Sequence, residues 1–214
     1  MKIFTIHSES HQELFNIMKE SLEANCKDYE LISKVVPQVS KTVDYGKGDS
    51  LNFKHLKVLH ILELLYTEKE PFIFADVDIY FFRDFAKDLE GRLGDNDFIA
   101  QFEKYQFGFN TVCSGFMYMQ PNEKMKKAYK WILYNLHRFK GDQVTLNRYL
   151  LTHRLKYKSL PKEYYSINYD NGNKVWNGED IKVSVENPFL IHLHWTLGMD
   201  NRIKLLEMVK NKYD

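Results

Sequence analysis

Three short clusters in this chain combine residue types that could do chemistry. The first is Asp76-Val77-Asp78, set inside the apolar run FIFADVDIYFF at residues 72–82. Burying an ionised carboxylate without a partner costs several kcal/mol or more, on the order of a whole domain's stability. On a strand, alternate side chains share a face. Phe74, Asp76 and Asp78 are therefore expected to point one way, and Ile73, Ala75 and Val77 the other. Two carboxylates converging where a strand runs out repel each other unless a proton or a cation lies between them. A hard divalent ion such as Mn²⁺ or Mg²⁺ suits carboxylate and water oxygens. The plain alternative is a turn with both aspartates in water. The flanking apolar run argues for a strand instead.

The second cluster is IHLHW at 191–195. His192 and His194 share a face by the same alternation, with Ile191, Leu193 and Trp195 opposite. Neutral imidazole ligates first-row ions, Mn²⁺ included. For an isolated His-x-His, two histidines satisfied by backbone carbonyls is the stronger reading. The third cluster is GDQVTLN at 141–147. Asp142 at a helix start is favourable in any protein, as a cap or dipole partner. That does not account for Gln143.

Smaller signals accompany these. Lys57 sits on the helix before the Asp-Val-Asp strand and is a suitable point charge for a phosphate, with Lys54 an equal competitor. In CSGFMYM at 113–119, Gly115 allows close backbone approach to a ligand and Ser114 offers a hydroxyl. The ordinary alternatives are a solvated lysine and a glycine needed for packing. Trp176 and Trp195 could stack on a sugar, although most tryptophans are core.

Elements must position these residues. Strands are expected at 2–7, 29–36 (ended by Pro37), 71–78, 97–103, 114–120 and 188–195. A helix follows Ser10 and Glu13, which form a plausible capping box, and carries Leu14, Phe15, Ile17, Met18 and Leu22. Residues 38–50, with Gly46, Gly48 and Asp49, read as a polar loop. Ser50 can cap a helix to Tyr66 with Leu51, Leu56, Leu59, Leu62 and Leu65 on its apolar side and Lys57 facing away. Further helices are expected at 122–139, 142–152 and 199–212. Strands alternating with helices predict an α/β fold with a mostly parallel sheet.

Length and composition narrow the class. The 214 residues are 44% hydrophobic, enough for one domain with a sizeable core. The 30 basic and 29 acidic residues leave a net charge of +1, which gives no general pull toward nucleic acid. Two cysteines, Cys26 and Cys113, are too few for a disulfide framework and have no zinc spacing, so a reducing compartment is expected. The N-terminus lacks a signal-peptide pattern, and no apolar stretch approaches the roughly 18 residues of a membrane span.

The motifs in order, FADVDIYF, CSGFMYM, GDQVTLN and HLHWTLG, resemble the GT-A nucleotide-sugar glycosyltransferases, on their retaining side. Within that family the chain is similar to a viral branch that decorates a capsid glycoprotein. The resemblance implies a single GT-A domain over 1–214. Residues 1–120 would mainly hold nucleotide-sugar and metal; residues 121–200 would supply the sugar and acceptor side and the late metal ligand. It implies that Thr5, Ile6 and His7, at the exit of the first strand, cradle uridine. Asp76 and Val77 would meet the nucleotide, Lys57 the diphosphate, and Ser114 and Gly115 the sugar. Asp76, Asp78 and His192 would hold Mn²⁺ or Mg²⁺. His194 stands where relatives often carry Asn, and either histidine could be the metal ligand, with His192 favoured. Asp142 would bond sugar hydroxyls and Gln143 would approach the anomeric face. Cys113 departs from the polar residue usual at its position.

The activity so implied is transfer of a sugar from a UDP-sugar to a hydroxyl acceptor on a glycan or glycoprotein, with retention, by a monomeric cytoplasmic enzyme, in a host cytoplasm for a viral protein. No carboxylate is placed as the general base that inversion needs. Two alternatives come from other classes. A haloacid-dehalogenase-like phosphohydrolase also uses a strand-end Asp-x-Asp with Mg²⁺, but here Ile79 and Tyr80 follow it. A noncatalytic nucleotide-sugar binding module would keep the pocket without the chemistry.

Overall fold

In a computed structural model the described residues are 1–39, 50–106, 109–167, 170, 175–179 and 183–213, with backbone only at 104–106, 109 and 110. The expected loop at 38–50 lies mostly outside them. The strands are β1 (Lys2–His7), β2 (Glu30–Val35), β3 (Phe72–Ala75), β4 (Ile79–Phe81), β5 (Phe98–Gln106), β6 (Phe109–Met119), β7 (Tyr157–Ser159), β8 (Tyr164–Ser166) and β9 (Leu190–His192). The helices are α1 (Gln12–Asn25), α2 (Ser50–Thr67), α3 (Ala86–Leu93), α4 (Glu123–Phe139), α5 (Asp142–Thr152) and α6 (Met199–Tyr213).

Six strands form a central sheet in the order β2-β1-β3-β6-β5-β7. Pairing is parallel for β1 with β2 and β3 and for β5 with β7. Strand β6 alone runs antiparallel to its neighbours. This is the mostly parallel α/β architecture that the alternation of elements predicts. Alternate residues feed two cores. Ile3, Ile73, Ala75 and Phe116 pack with Leu14, Met18 and Leu22 of α1 and Leu89 and Leu93 of α3. Phe4, Phe72, Phe74 and Met117 pack on the other face with residues of α2, α4 and α5. A smaller sheet, β4-β9-β8, packs Tyr165, Ile191 and Leu193 against Leu205, Leu206 and Val209 of α6.

Several local expectations need correction. The third strand ends at Ala75 rather than Asp78. The Asp76 amide still donates to Gly115 O at 2.7 Å, and the chain then leaves the central sheet. Strand β4 pairs with β9 of the small sheet instead. Asp76 and Asp78 therefore sit on either side of the seam between two sheets, not on one continuous strand. The late strand is only Leu190–His192, and beyond it Trp195 has a left-handed φ of 64°. The capping box is not formed. A 3₁₀ turn (Glu9–His11) precedes α1, and Ser10 Oγ pairs with His11 Nδ1 at 2.9 Å. Helix α2 buries Lys57, Val58, Ile61, Leu64 and Leu65, while Leu59 is 40% exposed. The helix is thus rotated so that Lys57 faces inward, opposite to the expectation.

Candidate active site

Lys57 is 4% exposed, and its inward position requires countercharge. Its Nζ lies 2.8 Å from Asp76 Oδ1, 2.9 Å from Asp76 Oδ2 and 3.0 Å from Asp142 Oδ2. Burial alone would lower the lysine's pKa. Asp142 and Asp76 outweigh that and push it up. Burial raises the Asp142 carboxyl, but Lys57 and the Ser114 hydroxyl hold it below the usual range. Lys54, the competing lysine, also lines the cleft, and burial pushes its pKa down.

Asp78 meets His192 on the small-sheet side of the seam. His192 Nε2 is 3.1 Å from Asp78 Oδ1, and Nδ1 is 3.0 Å from Gln101 Oε1. Gln101 donates its amide N–H groups to Tyr164 O and Tyr165 O, at 3.2 and 3.1 Å. Its oxygen can then only accept, so the proton of a neutral His192 belongs on Nδ1 and its Nε2 lone pair faces Asp78. A lone pair facing a carboxylate oxygen calls for a proton or a cation between them. Burial raises the Asp78 carboxyl, yet His192, when a proton sits on Nε2 between the two, and Arg202 together hold it well below the usual range. Asp76 moves the opposite way, raised by burial and by Asp78 against the pull of Lys57.

Gly115 is what leaves room here. A Cβ on it would overlap His192 Cε1 and come within 2.8 Å of Nε2 and 2.9 Å of Asp76 Oδ2. The ligand atoms of Asp76, Asp78 and His192 lie within 4.8 Å of one another. Two carboxylates and one imidazole suit a hard or borderline divalent ion, so the residues fit the metal the fold implies. Cys113, His192 and His194 form a second grouping of the same span. Burial holds the Cys113 thiol well above its ordinary pKa, which disfavours it as a ligand.

Helix α5 brings the third cluster to the same place. Ser114 Oγ donates to Asp142 Oδ2 at 2.8 Å, and the Ser114 amide reaches Gln143 Oε1 at 3.3 Å. One turn on, Asn147 accepts from the Val112 amide at 2.9 Å and donates to Val112 O at 2.8 Å. The helix start is thereby tied to β6 at two strand residues, Val112 and Ser114. Lys57, Asp76, Val77, Asp78, Ser114, Asp142, Gln143, His192 and His194 all line one cleft of about 470 Å³, with Ile6 at its edge.

Not every expected residue is there. His7 is buried between Ser33 Oγ and Gln12 Oε1, at 2.9 and 3.0 Å, and stacked on Phe15 at 4.4 Å. Thr5 is fully buried in β1, and neither residue lines the cleft. Trp176 is core, while Trp195 lines the cleft. Sequence reasoning missed Glu103, Gln101, Arg202, His11 and Phe53. Glu103 is 4% exposed and holds His194 Nε2 at 3.0 Å and Trp195 Nε1 at 2.9 Å. Burial lowers the His194 pKa, but Glu103 outweighs it and raises it. Gln101 and Glu103, two residues apart on β5, meet the two histidines where the register with β6 is irregular around Phe102. Arg202 lies 3.8 Å from Asp78. The one available signal was the pairing of Gln101 and Glu103 at alternate positions of a strand otherwise apolar at that face.

The sequence and fold match known proteins. The family profile for nucleotide-diphospho-sugar transferases matches residues 10–206. The chain belongs to that family. Transferases of known structure share its fold. The glycosyltransferase GlyE of Streptococcus pneumoniae TIGR4 superposes with a TM-score of 0.62 at 14% identity, over 94% of this chain and 55% of GlyE. This transferase therefore spans about half the length of that protein. The galactosyltransferase LgtC, solved with donor and acceptor sugar analogues, gives 0.61 at 13% identity, over 99% and 96% of the two chains. A glycosyltransferase involved in glycosylation of the major capsid of PBCV-1 gives 0.62 at 14% identity, over 97% and 98%. No curated protein matches the sequence. The phosphohydrolase alternative is set aside by the family match. Among the described residues, no helix is long and apolar enough to cross a membrane.

Proposed function

We propose that this transferase moves a sugar from a UDP-sugar to a hydroxyl of a glycan or glycoprotein with retention, and that Asp76, Asp78 and His192 hold Mn²⁺ or Mg²⁺. The observation that carries this reading is the approach of His192 Nε2 to Asp78 Oδ1 at 3.1 Å in a gap that Gly115 leaves open, beside Asp142 and Gln143. A bound divalent ion supplies Lewis-acid stabilisation of the charge on a departing diphosphate. Arg202 and Lys54, both on the cleft, add positive charge for the phosphates. Lys57, engaged by Asp76 and Asp142, instead fixes the distance between the phosphate side and the sugar side of the site.

Asp142 is held through Oδ2 by Lys57 and Ser114, which turns its other oxygen toward sugar hydroxyls. Gln143 accepts from Ser114 through Oε1, so its amide N–H₂ is the end directed at the anomeric face. A donor there suits a front-face reaction, with the leaving phosphate taking the acceptor's proton. A carboxamide donor is not a nucleophile, and Asp142, the one carboxylate a covalent route could use, is engaged by Lys57 and Ser114, so no covalent sugar intermediate is invoked. The glycoprotein acceptor is supported by the shared fold with the PBCV-1 capsid glycosyltransferase. Residues 1–214 act as one domain in this reading.

UDP release from a panel of UDP-sugars, with and without MnCl₂, tests it. At least one donor should turn over only with the ion, and Asp78→Ala should lower that rate by ~100-fold or more with an unchanged circular dichroism spectrum. Turnover equal in EDTA, or undiminished in the variant, would contradict the proposal.

A further inference from the structure

One stretch of the cleft wall is aliphatic. Val144, Arg148 and Leu151 recur at i, i+4 and i+7 on α5, and all three line the cleft. From Val144 to Leu151 the helix advances about 10 Å, longer than one sugar ring. Another wall comes from the segment around residues 175–176, where the Trp176 amide donates to Trp195 O at 2.8 Å and Trp176 bridges Thr196. Val144, Leu151 and Val175 are 37%, 43% and 40% exposed. Among the described residues only four other large hydrophobic side chains are that exposed, and none of those lines the cleft. Beside Val175, Thr196 is buried and lines the cleft, and its Oγ1 has no hydrogen-bond partner.

We propose that the acceptor carries an apolar group directly beyond its reacting sugar, and that Val144, Leu151 and Val175 receive that group while Thr196 bonds the acceptor sugar. The inference rests on the transferase reading above. The acceptor hydroxyl must meet the donor sugar at Gln143, so the acceptor ring passes over Val144, the next residue. What is attached to that ring then lies along the walls that Leu151 and Val175 form. Asn147, between them on the helix, is engaged by the Val112 backbone, so Arg148 supplies the polar character of that stretch. Covering aliphatic surface favours binding, and an apolar group on the acceptor would cover all three side chains.

The test uses the full chain saturated with UDP and MnCl₂. Binding of phenyl and methyl glycosides of glucose, galactose, mannose and rhamnose is compared by calorimetry. At least one phenyl glycoside should bind ~10-fold more tightly than its methyl partner. Leu151→Ser and Val175→Ser should each shrink that ratio about threefold or more, and Tyr134→Ser, an exposed residue on α4, should leave it unchanged. The proposal is overturned if no phenyl glycoside outbinds its methyl partner, or if the ratio survives both substitutions. Failure of UDP itself to bind with Mn²⁺ would instead strike the transferase reading.

Discussion

At the scale of single residues, Lys57 and its two carboxylates set the site's electrostatics. Removing the ammonium leaves the partly exposed carboxylates of Asp76 and Asp142 without their shared countercharge, so Lys57→Ala should destabilise the fold by ~3 kcal/mol, as read from urea unfolding. The pH dependence follows from two shifts. Asp142 is held below the ordinary 3.8 of an aspartate, so its contribution is complete above that pH and is lost as pH falls through the lower folded value. Lys57 is pushed above 10.5, so its contribution is complete below that pH and is lost only as pH rises through the folded value. Wild-type stability should thus decline in acid below about pH 4, and Lys57→Ala should flatten that decline. An acid limb identical in the two proteins would remove Lys57 as the cause. Much of this residue chemistry was legible in the sequence. Asp76, Asp78, Ser114, Asp142, Gln143 and His192 do converge, because their types were unusual for their surroundings. Lys57 was legible as a participant but not as a buried one. Leucines dominate α2, and counting them placed the apolar face one step round the helix from where Val58, Ile61 and Leu65 put it.

At the scale of elements, the decisive features are ties between them. Helix α5 is held to β6 through Asn147, whose side chain replaces a missing strand partner for the Val112 amide and carbonyl. Asn147→Ala should cost about 1–3 kcal/mol, because it strands backbone groups, and should speed hydrogen exchange at the Val112 amide. Exchange unchanged at Val112 would show that the tie is dispensable. Such ties were not readable beforehand. Asn147 lies on a helix and Val112 on a strand 35 residues away, and no periodicity links them. The same holds for β5. Its apolar alternation marked a strand at 97–103, but the irregular register around Phe102, where Gln101 and Glu103 meet His192 and His194, depends on pairing with β6. The strand carrying Asp76 was foreseen to extend to Asp78, since FIFADVDIYF reads as one apolar run. The break arises because β4 finds its partner in β9, far along the chain.

At the scale of the whole molecule, two sheets meet along the line between Asp76 and Asp78. The central sheet supplies Asp76, Gly115 and, through α5, Asp142. The small sheet supplies Asp78 and His192. The mostly parallel sheet was legible from alternating strands and helices, and the second sheet was not, since β4, β8 and β9 are three residues each. A site built at such a seam is assembled only when both sheets are in place, which ties metal binding to the complete fold. The most direct measurement is the anomalous difference map of a crystal grown with MnCl₂ and UDP. One strong manganese peak is expected within bonding distance of carboxylate oxygens of Asp76 and Asp78 and of His192 Nε2, beside the UDP phosphates. Manganese absent from that corner, or bound through His194 and Cys113 instead, would contradict that expectation.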